Sequence, residues 1–416
     1  MFTGILLARV DGANAAWMMV ATGLVLLMVP GLALFYGGMV RAKHVLGMFM
    51  MNVYCMGVVP LLWVLAAYSL ISGENSGGNS FIGGFDWLAF RDVEDPFQVI
   101  TSMFGLTFAV ITPALISGAV ADRMKFWAWV FFVPLWVLLV YVPIGTWVWA
   151  GWLLENGSLD FAGGTVVHIN AGAAGLAAAL VLGRRRGWPH EAMKPHSLPF
   201  TVIGAGILWF GWFGFNAGSA LAANEIALIA FYNTFIAAAA GMVGWLVIET
   251  IRDGKPTSLG AASGVVAGLV AITPAAGYVD GIVPIVFGLV AGVVCYLAIQ
   301  LKYKLGYDDS LDVVGVHMVG GLIGSLMVGL FADAAVNPDA LANAAGEGLL
   351  VSGEWGLLAW QAIASLAALA WSFVVTFVIA KVLDLVLGLR VAESDEEVGL
   401  DQSQHSESAY NLMDVA

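Results

Sequence analysis

Charged residues are scarce in this chain. They make up 11% of its 416 residues, whereas a soluble domain carries about 25%, so the protein cannot cover its surface with charge in water. Lysine and arginine together number only 16 and form no basic patch interleaved with aromatic residues, which excludes a nucleic-acid-binding protein. The two cysteines, Cys55 and Cys295, both lie in apolar stretches, and this excludes a framework of disulfides.

Apolar residues dominate the chain instead. They account for 60% of the sequence, and the mean hydropathy is +0.90. They occur in runs long enough for a helix to cross a bilayer core, which takes about 20 residues. Hydropathy therefore predicts an all-α polytopic membrane protein with eleven transmembrane helices, over residues 14–36, 44–72, 98–121, 126–150, 163–183, 198–221, 225–250, 258–276, 281–301, 311–332 and 355–388.

The distribution of lysine and arginine predicts the orientation of these spans. With the N-terminus outside, fourteen of the 16 basic residues fall on the cytoplasmic side, and only Arg9 and Arg91 fall outside. An even number of spans would break this asymmetry. We therefore expect a multi-pass protein of the cell membrane, with residues 391–416 forming an acidic cytoplasmic tail. No secretory signal peptide is expected, because the first apolar run is long enough to span and has no convincing cleavage site.

The segments predicted to lie outside are acidic. Such a rim either concentrates cations, with salt screening the charges beyond about 8 Å, or is only a solvated surface. The salt dependence of uptake would distinguish the two interpretations. The acidic residues of the segment 73–96 are Glu74, Asp86, Asp92, Glu94 and Asp95.

A short motif occurs twice. Residues 160–172 read DFAGGTVVHINAG and residues 312–321 read DVVGVHMVGG, and each has a Val-His step followed four residues later by glycine. The first lies in a span running inwards and the second in a span running outwards. This pattern predicts two five-helix inverted repeats, about 14–183 and 198–332, with a site at their interface. The eleventh helix, about 355–388, stands outside the repeat.

Two of the six histidines lie well inside predicted spans. An ionisable residue in a span is costly, and it indicates function unless it is a neutral imidazole bonded to a neighbouring helix. Because His168 and His317 occupy related positions in the two motifs, we favour function. A metal site is disfavoured, because zinc normally takes three or four protein ligands and the sequence has no HExxH motif or cysteine cluster. Asp160 and Asp312 precede the histidines by different spacings, eight and five residues, so helical geometry does not put both carboxylates beside their histidines.

An aromatic cluster precedes the outer end of the sixth span. Helical spacing puts Trp212, Phe215, Asn216 and Ser219 on one stripe. Most such stripes are core or lipid-facing. A stripe that ends in amide and hydroxyl groups also suits a small hydrogen-bonding cation, which it would hold through cation–π contact and N–H donation to oxygen.

These segments together resemble a known family. DFAGGTVVHINAG, WFGWFGFNAGSA (209–220), DDSLDVVGVHMVGG (308–321), PGLALFYGG (30–38) and the tail's GLRV, GLD and SAYN resemble the ammonium transporter family (Amt/Mep/Rh), and specifically its bacterial Amt branch. The resemblance covers essentially the whole chain. It implies a homotrimer in the inner membrane with a pore in each subunit, ammonium or ammonia as substrate, with methylammonium as an analogue, and neither enzyme activity nor a cofactor.

The resemblance also implies roles for pore residues. Phe108 and Phe215 match the stacked phenylalanines that gate the pore, and His168 and His317 match the paired pore histidines. Trp212 would line the pore beside them. Counting residues into each span at about 1.5 Å per residue separates the histidines by roughly 14 Å in depth. A working pair must be adjacent, so we expect both spans to begin in funnels that shorten the apolar pore.

An outer recruitment site is implied as well. Phe108 and Ser219 match two of its members, and Asp160 matches the acidic residue beneath it, where it would touch substrate or bond N–H groups at a helix start. Trp149 fits the recruitment tryptophan best, although two other tryptophans crowd the same segment, Trp147 and Trp152.

The predicted mechanism binds ammonium at the outer site, deprotonates it and passes ammonia through an apolar pore. The paired histidines offer a route for the proton, and whether the proton follows is left open. Arg184, Arg185, Arg186 and Lys194, with the tail, resemble surfaces that dock a trimeric PII-type regulatory protein in this family, although positive-inside charge alone also explains them. The alternatives are an ammonium sensor acting through a partner, an intramembrane enzyme and an Rh-like neutral gas channel.

Overall fold

The computed structural model describes residues 11–73 and 80–410, which are almost entirely helical. Arg9, Glu74 and the last residue of the SAYN motif lie outside the described residues. Within the described residues, eleven helices are long and apolar enough to cross a membrane. They are α1 Gly12–Met39, α2 Ala42–Ser72, α3 Pro96–Val120, α4 Phe126–Glu155, α5 Gly164–Leu182, α6 Leu198–Gly218, α7 Glu225–Asp253, α8 Ser258–Ala275, α9 Val283–Leu305, α10 Val314–Phe331 and α11 Gly356–Leu387.

These bounds confirm the eleven spans that hydropathy predicts. The ends differ by a few residues because local chemistry sets them. Side chains at the start of several helices accept a backbone N–H of the first turn, which satisfies a donor that the helix itself leaves free. The capping residues include Asp11, Asp95, Ser197, Asn224 and Thr257. Gly254 and Gly306 end α7 and α9 in the left-handed conformation.

Four helices contain π-helical turns, in which the backbone widens locally. They occur at Trp63–Ala67 in α2 and at Val137–Tyr141 in α4, and they form the first turns of α5 and α10 at Gly164–Ile169 and Val314–Met318. Such turns are uncommon and are frequent at functional sites. The last two carry His168 and His317.

The described part of the segment after α11, residues 388–410, folds back along one end of the bundle, which we call the tail end. It contains two short helices, α12 Glu393–Val398 and α13 Leu400–His405. The backbone N–H of Val391 donates to the carbonyl of Arg123. The Asp401 carboxylate accepts the N–H of Gly47 near the start of α2 at 2.8 Å. The tail is therefore packed against the ends of several spans.

Candidate functional site

Helices α5 and α10 cross closely where each carries a histidine. Gly172 lies four residues after His168, and a Cβ there would stand 2.4 Å from the backbone nitrogen of the residue that follows His317. Gly321 lies four residues after His317, and its Cβ would stand 3.1 Å from the backbone nitrogen of the residue that follows His168. The repeated spacing of histidine and glycine thus brings the two helices together by equivalent contacts.

The start of α5 is fixed by one carboxylate. Asp160 is buried, and its two oxygens accept four backbone N–H groups at 2.7 to 3.1 Å, from Gly163, Gly164, Thr165 and Val166. These are donors that a helix start leaves without partners. Asp160 therefore orients the turn that carries His168, and its own oxygens are already occupied.

The start of α10 is held in a related way. The Asp309 carboxylate accepts the N–H of Val314 at 2.7 Å, and Asp309 stands eight residues before His317, the same spacing as in α5. Sequence reasoning compared Asp312 instead and missed this residue. Asp312 in fact accepts from the Lys302 ammonium at 2.5 Å. The equal spacing of eight residues is the signal that would have identified Asp309.

The two histidine rings lie side by side between these helix starts. Both are buried, with 1% and 3% of their surface exposed. The Nδ1 atoms of His168 and His317 are 3.3 Å apart, and the ring centroids are 5.3 Å apart with an angle of 20° between the planes. A contact between two ring nitrogens requires one to carry a hydrogen and the other a lone pair. The pair therefore has a donor and an acceptor in contact.

Aromatic rings continue this column towards one surface. The rings of Phe108 and Phe215 stack at 4.1 Å between centroids, and Phe215 lies 6.0 Å from the His168 ring. Trp212 stacks on His168 at 5.4 Å, and its indole N–H donates to the Thr273 hydroxyl at 2.9 Å. The donor of Trp212 is thereby occupied, so Trp212 presents an apolar face to the histidines.

Little open space lies beside Phe215 and the two histidines. A cavity of about 10 Å³ touches Phe215, His168 and His317, and about this much space is needed to hold one water molecule. Apart from the histidines and Trp212, its walls are apolar. They are Met28, Leu32, Phe35, Ile111, Leu115, Val167, Leu208, Phe215 and Val266.

A much larger cavity lies on the other side of the stacked phenylalanines. It measures about 370 Å³ and is lined by Phe108, Trp149 and Ser219, among others. Trp149 meets the Phe108 ring edge-on at 6.0 Å, and its indole N–H donates to the carbonyl of Asp160 at 3.1 Å. We call this space the outer cavity and the end of the bundle that contains it the vestibule end.

The Ser219 hydroxyl has a defined role in the outer cavity. It donates its hydrogen to the carbonyl of Phe215 at 2.8 Å. Since a hydroxyl has one hydrogen and two lone pairs, only acceptor capacity remains towards the cavity. This geometry suits a ligand that donates hydrogen bonds.

Other residues near this site face elsewhere. Trp147 donates its indole N–H to the carbonyl of Phe81 at 2.9 Å, and its ring meets Trp152 edge-on. Among the described residues, neither tryptophan lines the outer cavity, whereas Trp149 does. Asn216 donates to the Thr234 hydroxyl on α7 at 2.9 Å. Asn216 therefore joins α6 to α7 and lines neither of the two cavities, whereas Trp212 and Phe215 line the small one and Ser219 lines the outer one.

The basic residues at the tail end have different environments. Arg185 is buried and binds the Asp308 carboxylate at 2.8 Å. Burial opposes the charge of Asp308, yet the bound Arg185 guanidinium lowers the pKa of that carboxyl below its ordinary value. Arg184, Arg186 and Lys194 are exposed, and Arg186 pairs with a glutamate of α12. Of the four basic residues in the loop after α5, these three are open to a partner from solution, whereas Arg185 is not.

Comparison with known proteins decides the family. The model of the Ammonium Transporter Family matches residues 16–410. The chain belongs to the ammonium transporter family. An ammonium transporter of Mycobacterium tuberculosis (strain H37Rv) is 49% identical to it over 435 aligned residues, which cover 97% of this chain and 91% of that protein.

Solved structures agree with this membership in the ammonium transporter family. The crystal structure of Saccharomyces cerevisiae Mep2 is 37% identical, with a TM-score of 0.86, and the match covers 92% of this chain and 88% of that one. A structure described as "Sensor Amt Protein" is 27% identical, with a TM-score of 0.87, and the match covers 94% of this chain and 98% of that one. The fold is therefore that of a multi-pass membrane protein of this family.

Proposed function

We propose that this protein transports ammonium across a cell membrane by binding the cation in the outer cavity and passing ammonia and a proton separately along the histidine column. The observation that carries the proposal is the continuous series formed by the outer cavity, the stacked rings of Phe108 and Phe215, and the contact between His168 and His317. Membership in the ammonium transporter family supports ammonium as the substrate.

The outer cavity supplies the selectivity. Potassium has the same charge as ammonium and a similar size, but it donates no hydrogen bonds. The π faces of Phe108 and Trp149 attract either cation, and so do the lone pairs of the Ser219 oxygen. Only ammonium, however, can donate a directed N–H hydrogen bond to that oxygen, whose own hydrogen is already given to Phe215. Recruitment therefore favours ammonium over potassium.

The narrow cavity supplies the second filter. An intact ion in an apolar passage of about 10 Å³ would lose its hydration with few compensating contacts, which is costly. Ammonia is uncharged and about the size of the one water molecule that fits. The proton released above Phe215 then passes through the contact between His168 and His317, where one ring nitrogen accepts as the other donates.

A flux assay in proteoliposomes tests this function. We expect an inward current when ammonium or methylammonium is added, and none when potassium is added at the same concentration, because only the first two can donate N–H and release a proton. Uptake of ammonia without current would favour the Rh-like neutral gas channel. Specific ammonium binding without uptake would favour a sensor, which the resemblance to the "Sensor Amt Protein" structure keeps as the second candidate.

The structure supports a particular orientation. Four basic residues contact either interhelical loops or the C-terminal tail at the tail end of the bundle. They are Arg41, Lys43, Arg185 and Arg390. Since basic residues favour the cytoplasmic side, we assign the tail end to the cytoplasm and the vestibule end to the outside, in the inner membrane of a bacterial cell. A homotrimer stays a prediction, which chemical cross-linking in native membranes would test.

We also propose that a PII-type protein docks at the tail end. The exposed cations Arg184, Arg186 and Lys194 and the packed tail support this docking, whereas Arg185 is occupied by Asp308 and takes no direct part. Lys194→Glu is expected to weaken capture of a purified PII-type trimer by about fivefold or more, as charge reversal at an interface rim does. Lys255→Glu, in another loop of the tail end, is the matched control. Equal capture by both variants, or no capture by the parent protein, would contradict the proposal.

A further inference from the structure

The outer cavity is larger than the recruitment of ammonium requires. Its volume is about 370 Å³, whereas a water-sized particle such as ammonium occupies about 30 Å³. The recruitment site uses Phe108, Trp149 and Ser219, which form only part of the wall. Trp63 and Tyr68 also line the cavity, and ammonium transport as proposed above uses neither of them.

These two aromatic residues are held rigidly. The Trp63 indole N–H donates to the Ser102 hydroxyl at 3.0 Å, so its polar atom is occupied. Tyr68 lies 5.8 Å from Trp63 between ring centroids and stacks on Trp87 at 5.3 Å with an angle of 18°. The rings are therefore positioned before any ligand arrives, which lowers the entropy cost of binding.

A glycine brings this wall close to the recruitment site. Gly105 lines the cavity, and a Cβ there would stand 3.3 Å from a carbon of the Trp63 six-membered ring. Gly105 and Phe108 are three residues apart on α3 and so share a helix face. The Trp63 ring therefore packs closely against the α3 face that carries Phe108, which is possible because residue 105 has no side chain.

The chemistry of the wall selects one kind of ligand. Among the described residues that line the outer cavity, none carries a charge. Aromatic faces attract cations within about 6 Å of the ring centre, and such faces are the usual receptors for quaternary ammonium groups. A cation with methyl groups also buries apolar surface against these rings, which ammonium cannot do.

We propose that the outer cavity also binds quaternary ammonium cations of the tetramethylammonium and choline class, between Trp63, Tyr68 and Phe108, and that these cations block transport without being transported. These cations cannot move beyond the outer cavity, because the Phe108 and Phe215 rings stack at 4.1 Å and the cavity on the far side measures only about 10 Å³. The blocking effect rests on the proposed function, since the current that is blocked is that of ammonium.

The two classes of cation depend on different residues. A quaternary cation has no N–H group and so makes no N–H hydrogen bond to the Ser219 oxygen, whereas ammonium does. The Trp63 ring offers an aromatic face that a quaternary cation can contact, and Trp63 is not one of the three recruitment residues Phe108, Trp149 and Ser219. Ser219→Ala should therefore weaken ammonium binding alone, and Trp63→Leu should weaken tetramethylammonium binding alone.

The experiment titrates tetramethylammonium chloride against the ammonium current in proteoliposomes, with sodium chloride at equal ionic strength as the control. We expect competitive inhibition in the parent protein. Trp63→Leu should raise the half-inhibitory concentration about tenfold, which lies between the size of an exposed and that of a desolvated cation–π contact, and Trp63→Phe should retain most of the inhibition. Ser219→Ala should raise the KM for ammonium and leave the inhibition constant of tetramethylammonium unchanged.

Two further measurements keep the outcome decisive. If Trp63→Leu does not fold, Gly105→Ala places a methyl group 3.3 Å from the Trp63 ring, which must shift to accommodate it, and should also weaken inhibition. If the parent protein carries no ammonium current, the proposed function fails, and quenching of tryptophan fluorescence by tetramethylammonium still tests the cation site. Absence of inhibition and of quenching in the parent protein, or equal inhibition of the parent and Trp63→Leu, would overturn the inference.

Discussion

Replacing both His168 and His317 by alanine is expected to abolish the ammonium current. The two Nδ1 atoms are 3.3 Å apart in an otherwise apolar passage, so without them a proton has no donor or acceptor to move along. A barrier higher by only about 1.4 kcal/mol already slows a step tenfold, and loss of the route should cost more. The measurement is the current of reconstituted protein after a rapid change in ammonium concentration.

Each single substitution should also reduce the current by at least about tenfold, because one ring nitrogen alone leaves a gap in the route. The matched control is His190→Ala, which removes an exposed histidine from the loop after α5. The control should keep the parent current. A current that survives in the double variant would remove the relay and make both histidines ordinary polar residues of the pore.

Replacing Asp160 by alanine is expected to destabilise the protein and to stop transport together. Its carboxylate accepts four backbone N–H groups at the start of α5. Hydrogen bonds to a charged group contribute about 1.5–3 kcal/mol each, and buried donors left without partners add a desolvation cost. We expect a loss of about 3 kcal/mol or more in the free energy of unfolding, and displacement of His168 with the turn that carries it.

Thermal unfolding of the detergent-solubilised protein measures this loss, and ammonium uptake by the folded fraction measures the effect on the pore. Asp309→Ala serves as the matched comparison, because Asp309 accepts the N–H of Val314 at the start of α10. Fewer backbone N–H groups lose their acceptor in Asp309→Ala than in Asp160→Ala, so its melting temperature should fall less. Asp160→Asn keeps one acceptor oxygen and should lie between the parent and Asp160→Ala. An Asp160→Ala variant as stable as the parent, but unable to bind ammonium, would indicate direct contact with substrate instead.

The eleven-helix architecture is predictable from sequence because hydropathy along the chain decides it. Helices that cross a bilayer need about 20 apolar residues, and the chain supplies them in eleven separate runs. The structure confirms these runs to within a few residues. The capping side chains that move the ends, such as Asp11 and Thr257, act locally and are weaker signals than hydropathy.

The contact between the histidines is a harder problem. Simple counting along two spans separates them by roughly 14 Å in depth, whereas the rings lie 5.3 Å apart. Both helices begin at buried residues, where Asp160 and Asp309 take the place of water at each helix start. The glycines after the histidines then let the backbones approach. Sequence shows these residues but gives no measure of depth.

Other details depend on tertiary contacts that no local pattern encodes. Trp149, Trp147 and Trp152 are similar in sequence context, yet only Trp149 lines the outer cavity among the described residues. Arg185 stands between two exposed arginines and is itself buried against Asp308. In both cases the distinction depends on which neighbouring helix or loop the side chain meets.

The most direct test of the account measures charge and nitrogen together. Proteoliposomes containing the parent protein are given an ammonium gradient, and the integrated current is compared with the ammonium taken up. If the proton follows along His168 and His317 while ammonia crosses the apolar passage, one elementary charge should enter for each nitrogen, with no current from potassium. Uptake of nitrogen without charge, or an equal current carried by potassium, would contradict the account.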